Sequence, residues 1–226
     1  MLFRSRIFSG GFIWDRRDDP VKTTRGEQAS ATMDVAVRPL GSEVGFVKTY
    51  VQASIFRSVV QPRRITFAGR VLFGVARGFA REAIDESGNP VVIDDLPASH
   101  RLFAGGSTTV RGFQVDRLGV EEILNPDGLS NGGNGLIVFN GEVRTVVAKL
   151  LDRDVTVVAF VDAGNVFHRA SDLDLGRLRV TPGAGIRWES PLGPIRFDVG
   201  FKTDPQIFGT TRERRWEFHL SIGEVF

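Results

Sequence analysis

Along Ile195-Arg196-Phe197-Asp198-Val199-Gly200-Phe201-Lys202 the side chains alternate without exception. Ile195, Phe197, Val199 and Phe201 fall on one side, and Arg196, Asp198, Gly200 and Lys202 on the other. Successive side chains of an extended chain point to opposite faces, so this segment is a strand with one apolar and one polar face. The same period returns near the end of the chain. There Trp216, Phe218, Leu220, Ile222 and Phe226 oppose Arg215, Glu217, His219, Ser221 and Gly223, and only Glu224 breaks the apolar face. Elsewhere Ile65, Phe67 and Val71 oppose Thr66, Ala68 and Arg70, while Val180, Ala184, Ile186 and Trp188 oppose Thr181, Gly183, Gly185, Arg187 and Glu189. Leu136 to Val147 sets Ile137, Phe139 and Val143 against Glu142 and Arg144. Ala29 to Val37 and Val47 to Arg57 alternate similarly, and Val155 to Phe167 is apolar on both faces apart from Asp162 and Asn165. Helical periodicity is almost absent. Such a chain must form sheet, and every strand carries an apolar face that needs cover.

Turn signals separate these runs: Asp18-Asp19-Pro20, Pro39-Leu40-Gly41, Gln61-Pro62, Ser190-Pro191-Leu192-Gly193-Pro194 and Thr203-Asp204-Pro205. With a weaker first run, Ile7 to Trp14, the pattern predicts roughly nine strands of about 8–14 residues, a length suited to tilted membrane strands. The connections near Pro39 to Gly45, Val60 to Arg63 and Ser190 to Pro194 are short. The connection from Ala80 to Gly133 is far longer than a compact domain normally tolerates, and such loops are usually functional.

Two environments satisfy a one-sided apolar strand. A soluble sandwich hides the apolar faces between two sheets; a membrane barrel turns them to lipid and keeps polar residues and glycine in its lumen. Strand length, the contrast between connections and aromatics near strand ends (Trp14, Phe79, Phe167, Trp188, Trp216 and Phe226) favour the barrel. The pattern alone leaves the sandwich open.

Composition removes other classes. At 226 residues, 42% apolar and 25% charged, the chain is not disordered. A net charge of +2, with both signs interspersed, supplies no basic block for nucleic acid. Without cysteine there is neither a disulfide framework nor a thiolate metal site. No run approaches the ~18 apolar residues of a membrane helix. MLFRSRIFSGGF lacks the ~7–15-residue apolar core of a secretory signal, so the chain is either cytosolic or a piece of a longer one whose signal lies upstream. His100, His168 and His219 are scattered, with no metal-ligand spacing and no Ser-His-Asp arrangement. The glycines of Arg101 to Gly119, RLFAGGSTTVRGFQVDRLG, precede no helix and no phosphate-binding lysine. Neither an enzyme nor a cofactor is expected.

Several motifs together resemble a known family. RLFAGGSTTVRGF is similar to the loop of the BamA/TamA-type outer-membrane assembly factors, whose barrel is the bacterial surface-antigen domain. Gly132-Gly133-Asn134 followed by Asn140-Gly141-Glu142-Val143-Arg144 resembles the strand after that loop. Phe160-Val161-Asp162-Ala163-Gly164-Asn165-Val166-Phe167 resembles the next one, and Gly183 to Pro194 the penultimate hairpin. Asp15-Arg16-Arg17-Asp18-Asp19-Pro20 with Thr24-Arg25-Gly26 resembles an upstream turn, and the chain ends on an aromatic, Phe226. The motifs follow the family's order over nearly the whole chain.

The resemblance implies an antiparallel transmembrane β-barrel wall in the bacterial outer membrane, made of about nine C-terminal strands of a sixteen-strand barrel. Residues 1–226 would be the C-terminal part of one barrel domain, from a truncated or split gene, because an open wall leaves unpaired backbone in hydrocarbon. Residues 80–134 would be a long extracellular loop folded inward. It also implies that Arg111, with Gly112 and Phe113, latches the loop by pairing with Glu142 and Asp162. A guanidinium fork suits paired carboxylates. Gly105 and Gly106 would let the loop's backbone approach the wall. Phe218, Leu220, Ile222, Gly223 and Phe226 would form the seam strand and the C-terminal β-signal. The implied function is non-enzymatic insertion of barrel proteins through a lateral seam, and the alternative is a two-partner-secretion export pore. Implied partners are outer-membrane lipid, unfolded β-barrel clients, upstream periplasmic domains and the remaining barrel strands, with room for accessory assembly subunits.

Overall fold

The computed structural model describes residues 5–59, 65–84, 89–93, 96–191, 193–208 and 211–224. In chain order the strands are β1 (Ile7–Asp15), β2 (Gly26–Ala36), β3 (Phe46–Val59), β4 (Ile65–Gly78), β5 (Arg81–Ile84), β6 (Pro90–Ile93) and β7 (Gly135–Leu150). They continue with β8 (Arg153–Phe167), β9 (Arg179–Ser190), β10 (Gly193–Phe201), β11 (Ile207–Phe208), β12 (Thr211–Arg212) and β13 (Trp216–Ile222). One antiparallel sheet holds nine of them in the order β1-β2-β3-β4-β7-β8-β9-β10-β13. β5 pairs with β6 and β11 with β12 as separate small hairpins. The nine expected strands are the nine of the sheet, with ends shifted by a few residues.

Alternation sets the faces. On β10, Arg196 and Asp198 are buried and Phe197 is exposed. On β13, Trp216, Phe218, Leu220 and Ile222 are all more than half exposed, whereas His219 is buried. On β7, Phe139 and Val143 point outward while Asn140, Glu142 and Arg144 point into the concave side. The outer face is therefore an apolar surface whose large side chains no described residue covers, as a wall against lipid requires and a sandwich sheet does not. Trp14 and Trp216 are exposed near strand ends, but Phe167 is not among these outer aromatics. It is fully buried, in the cluster against which Leu173 and Leu178 pack.

The inner face is not polar throughout, as a simple barrel pattern suggests. Leu72, Ala76, Leu136, Val138 and Val166 face inward near one end of the sheet and pack on Leu96, Leu102, Ala104, Val110, Phe113, Leu118, Val120 and Ile123 of the long connection. That connection carries the β5–β6 hairpin and two short 3-10 turns. Isolated bridges Leu102↔Gly133, Ala104↔Leu118 and Leu124↔Ser130 fold it onto itself. Its apolar residues lack the strand period because they cover a surface from a coil, so alternation could not flag them.

The β1–β2 connection lies at the opposite end and is organised by carboxylates. Asp18 Oδ1 accepts from the backbone N–H groups of Asp19, Thr24 and Arg25 at 3.1, 2.9 and 3.0 Å, and Oδ2 from the Thr24 hydroxyl. Asp19 Oδ1 accepts from Val21 and Lys22 N–H. Lys22 pairs with Glu189 at the end of β9, which shows how far the sheet curls. The β7–β8 turn is tighter still: Leu151 and Asp152 both take positive φ, 54° and 59°. The connection expected near Val60 to Arg63 lies outside the described residues, as does Leu192 in the β9–β10 turn.

The slight burial of Asp18 raises its pKa, but hydrogen bonds from Thr24, Arg25 and Asp19 outweigh this and bring it down to about 2 from an ordinary 3.8. A depressed carboxylate stabilises above its ordinary pKa and loses that contribution as pH falls through the lowered value. Protection factors for hydrogen exchange of the Thr24 and Arg25 amides, taken relative to the unstructured chain at each pH, should therefore hold at pH 4 and fall as pH approaches 2. Asp18→Asn, which places an amide donor against the Thr24 hydroxyl, should show the lowered protection already at neutral pH.

Candidate functional site

The site grows from the tip of the long connection. Gly105 and Gly106 have φ of 115° and 96°. Thr109 Oγ1 accepts from Gly105 N–H at 2.8 Å and donates to Gly105 O at 2.9 Å, while Gly106 N–H donates to Phe113 O at 2.9 Å. These bonds close residues 105–113 into a small ring that projects Arg111 at the wall. Gly112 has φ of 107°, and a Cβ there would lie 2.8 Å from Thr181 Cγ2. The facing Gly200 of β10 is equally constrained, because its Cβ would sit 2.5 Å from Gly112 N. Loop and wall meet backbone to backbone, which only paired glycines permit.

Arg111 is completely buried. Its Nε donates to Asp162 Oδ2 and its Nη2 to Asp162 Oδ1, both at 2.8 Å, and its backbone N–H reaches the same Oδ2 at 2.9 Å. Nη1 donates to Glu142 Oε1 at 2.5 Å. The guanidinium lies over the Phe160 ring, 3.5 Å from its centroid, and Asp198 is 3.9 Å away. Of the residues singled out in the sequence, the structure brings Arg111, Glu142 and Asp162 into direct contact.

A wider network surrounds this contact. Asn140 Nδ2 donates to Asp162 Oδ1 and to Thr109 O, each at 2.7 Å, and its Oδ1 accepts from Arg70. Arg70 Nη2 donates to Thr108 O at 2.6 Å, and from the other side Arg196 Nη2 donates to Ser107 O at 2.9 Å. Glu142 accepts from Arg187 Nη2 at 2.8 and 2.9 Å and from Arg144 Nε at 2.8 Å. Phe113 is buried, with Arg179 and Lys202 over its ring at 4.6 and 4.9 Å. Gly112 N–H donates to His219 Nε2 at 3.3 Å.

Arg70, Arg187 and Arg196 read in the sequence only as polar-face residues and Asn140 only as part of a motif, with no site role. Each occupies the polar face of an alternating strand, and the signal was their type: arginines on a face that a soluble sandwich would bury against apolar residues. Phe218, Leu220 and Ile222 point outward, away from the network. Gly223 follows β13 with φ of 100°, and Phe226 lies outside the described residues. Among the described residues, no group of three or more His, Cys, Asp or Glu side chains is placed to hold a metal.

A model of the Omp85 superfamily domain matches residues 3–226. The chain belongs to that superfamily. It is 26% identical over 216 residues to the outer membrane protein assembly factor BamA of Nitratidesulfovibrio vulgaris, covering 95% of this chain and 25% of that protein. It is 23% identical over 255 residues to BamA of Neisseria meningitidis, covering 99% of this chain and 29% of that protein. With the chloroplastic outer envelope protein 80 of Arabidopsis thaliana it shares 28% identity over 164 residues, covering 69% of this chain and 19% of that protein. The crystal structure of BamA from Haemophilus ducreyi lacking POTRA domains 1-3 superposes with a TM-score of 0.71 at 19% identity, over 94% of this chain and 41% of that one. The chain thus spans about a quarter of the length of the curated BamA relatives it matches. Its open sheet is a barrel wall, and as an Omp85 protein it resides in the bacterial outer membrane, so the exposed apolar face meets lipid.

Within this Omp85 wall, Arg111→Ala leaves Asp162 and Glu142 buried with one cation fewer. Removing one partner of a buried pair costs about 3–5 kcal/mol, so the loop should detach: limited proteolysis between Arg101 and Gly119 should speed up by at least an order of magnitude. Arg111→Lys keeps the charge but loses the fork to Asp162, and should recover only part of the protection.

Proposed function

We propose that this chain is the seam-bearing part of an outer-membrane protein assembly factor that inserts β-barrel clients without an enzymatic step. What supports the reading is one observation: in a chain similar to proteins named as such factors, a loop arginine is locked into the lumen by Asp162 and Glu142. In this reading residues 1–226 are the C-terminal part of a single barrel domain, and residues 80–134 are an extracellular loop latched from within by Arg111, Gly112 and Phe113.

β13 supplies one lip of the seam. Its Phe218, Leu220 and Ile222 meet lipid, and with Gly223 and Phe226 they form the β-signal. A client strand adds to the free backbone of this edge by β-augmentation, so main-chain hydrogen bonds are satisfied before the strand enters hydrocarbon. No nucleotide is required, because folding into lipid is itself downhill. Upstream periplasmic domains and the remaining strands of the barrel deliver the client and complete the wall, with accessory subunits as further partners.

The test reconstitutes the natural full-length protein in phospholipid vesicles and adds an unfolded outer-membrane barrel protein. Client folding, read as protease protection and heat-modifiable mobility, should run several-fold faster than in empty vesicles, and photocrosslinkers at Leu220 should capture client strands. Folding no faster than in empty vesicles would overturn the proposal; release of a secreted partner through the lumen would identify the export pore instead.

A further inference from the structure

Glu224 is the residue that interrupts the apolar stripe of the last strand, and its position has a cause. Continuation of the strand would place residue 224 on the lipid face with Leu220 and Ile222. Gly223 prevents this: its φ of 100° is a left-handed conformation that side-chain-bearing residues rarely adopt, and its N–H donates to Pro194 O at 2.8 Å. Glu224 is carried to the inner side instead. There its Oε2 accepts from Arg187 Nη1 at 2.6 Å and lies 3.4 Å from Arg144 Nη1.

Arg187 and Arg144 are the same groups that hold Glu142, and Glu142 is a partner of Arg111. Alternating charges therefore run without a break from the loop tip, through Glu142 and the two arginines, to the end of the last strand. Higher on that strand His219 accepts from Gly112 of the same tip. β13 is also the shortest of the nine sheet strands, at 7 residues, and among the described residues it pairs with β10 alone. Beside its ladder with β10, the contacts described for this short strand lead to the loop.

We propose that Glu224 is a positioning residue that tethers the last strand to the Arg111 loop, so that docking of the loop and closure of the strand reinforce one another. The proposal rests on the reading of β13 as a seam lip. Loss of Glu224 leaves Arg187 and Arg144 still bound to Glu142, so the loop keeps its anchors while the strand loses its tether. Coupling of this kind is reciprocal: what loosens the loop loosens the strand.

The experiment measures amide hydrogen exchange over Trp216–Ile222 in the full-length protein in phospholipid vesicles. Glu224→Gln should accelerate exchange there about tenfold, the scale of one charge-assisted hydrogen bond, while residues 101–119, which keep their direct anchors, lose less protease protection than in Arg111→Ala. Glu224→Asp, which keeps the charge, should recover part of the difference. In the Arg111→Lys background Glu224→Gln should add little. Unchanged exchange in Glu224→Gln, equal acceleration by Gln and Asp, or full additivity with Arg111→Lys would each overturn the tether; if the Arg111→Lys protein does not fold, the Gln and Asp variants decide. These readouts follow the strand and not the client, so a protein that fails to insert clients but shows the coupling removes the assembly reading alone.

Discussion

The fold depends on burying one guanidinium group among carboxylates that belong to different strands. Arg111 comes from a connection, Glu142 from β7 and Asp162 from β8, and none is exposed to solvent. Ionised carboxylates on the concave side of a barrel are tolerated only when fully partnered, because an isolated buried charge costs several kcal/mol. The loop thus completes the wall as much as the wall holds the loop. Asn140 and Phe160 extend the same logic, one bridging Asp162 to the loop backbone and the other accepting the guanidinium on its face.

Two kinds of contact divide the work of docking. Leu102, Val110, Phe113 and Leu118 pack on Leu136, Val138 and Val166, and such burial is strong but indifferent to register. Direction comes from the ionic and hydrogen-bonded tip. Arg70 and Arg196, on strands at opposite sides of the wall, each bind a carbonyl of neighbouring loop residues, Thr108 and Ser107. The tip is held from both sides, and Gly200 leaves the gap into which Gly112 fits.

Much of this was legible in the residues, for reasons that differ by element. Ile195 to Lys202 read as a strand because each inward side chain is polar or small and each outward one is apolar, and lipid on one side preserves that contrast along the full length. Arg111, Glu142 and Asp162 were legible through family motifs, and alternation had already put Glu142 on the lumen face. The β7–β8 turn escaped notice because Leu151-Asp152 contains neither glycine nor proline, though both residues adopt the left-handed region. The loop's core escaped because a coil that covers a surface has no period. Phe167 was misplaced among the interfacial aromatics because a buried and a lipid-facing phenylalanine at a strand end look the same in one dimension.

Glu224 shows the converse, a single break in a pattern that carries structural content. Hydrocarbon admits no unpaired carboxylate, so a glutamate in a lipid-facing stripe requires either a partner or a change of face. The chain supplies the change of face at Gly223 and the partner at Arg187. An outer-membrane strand can then end in a charge without exposing it to lipid. Among the described residues backbone pairing with β10 holds one side of the strand, and the lumen holds its end. The stability of the last strand is consequently set as much inside the barrel, by arginines shared with the loop, as by the ladder at its edge.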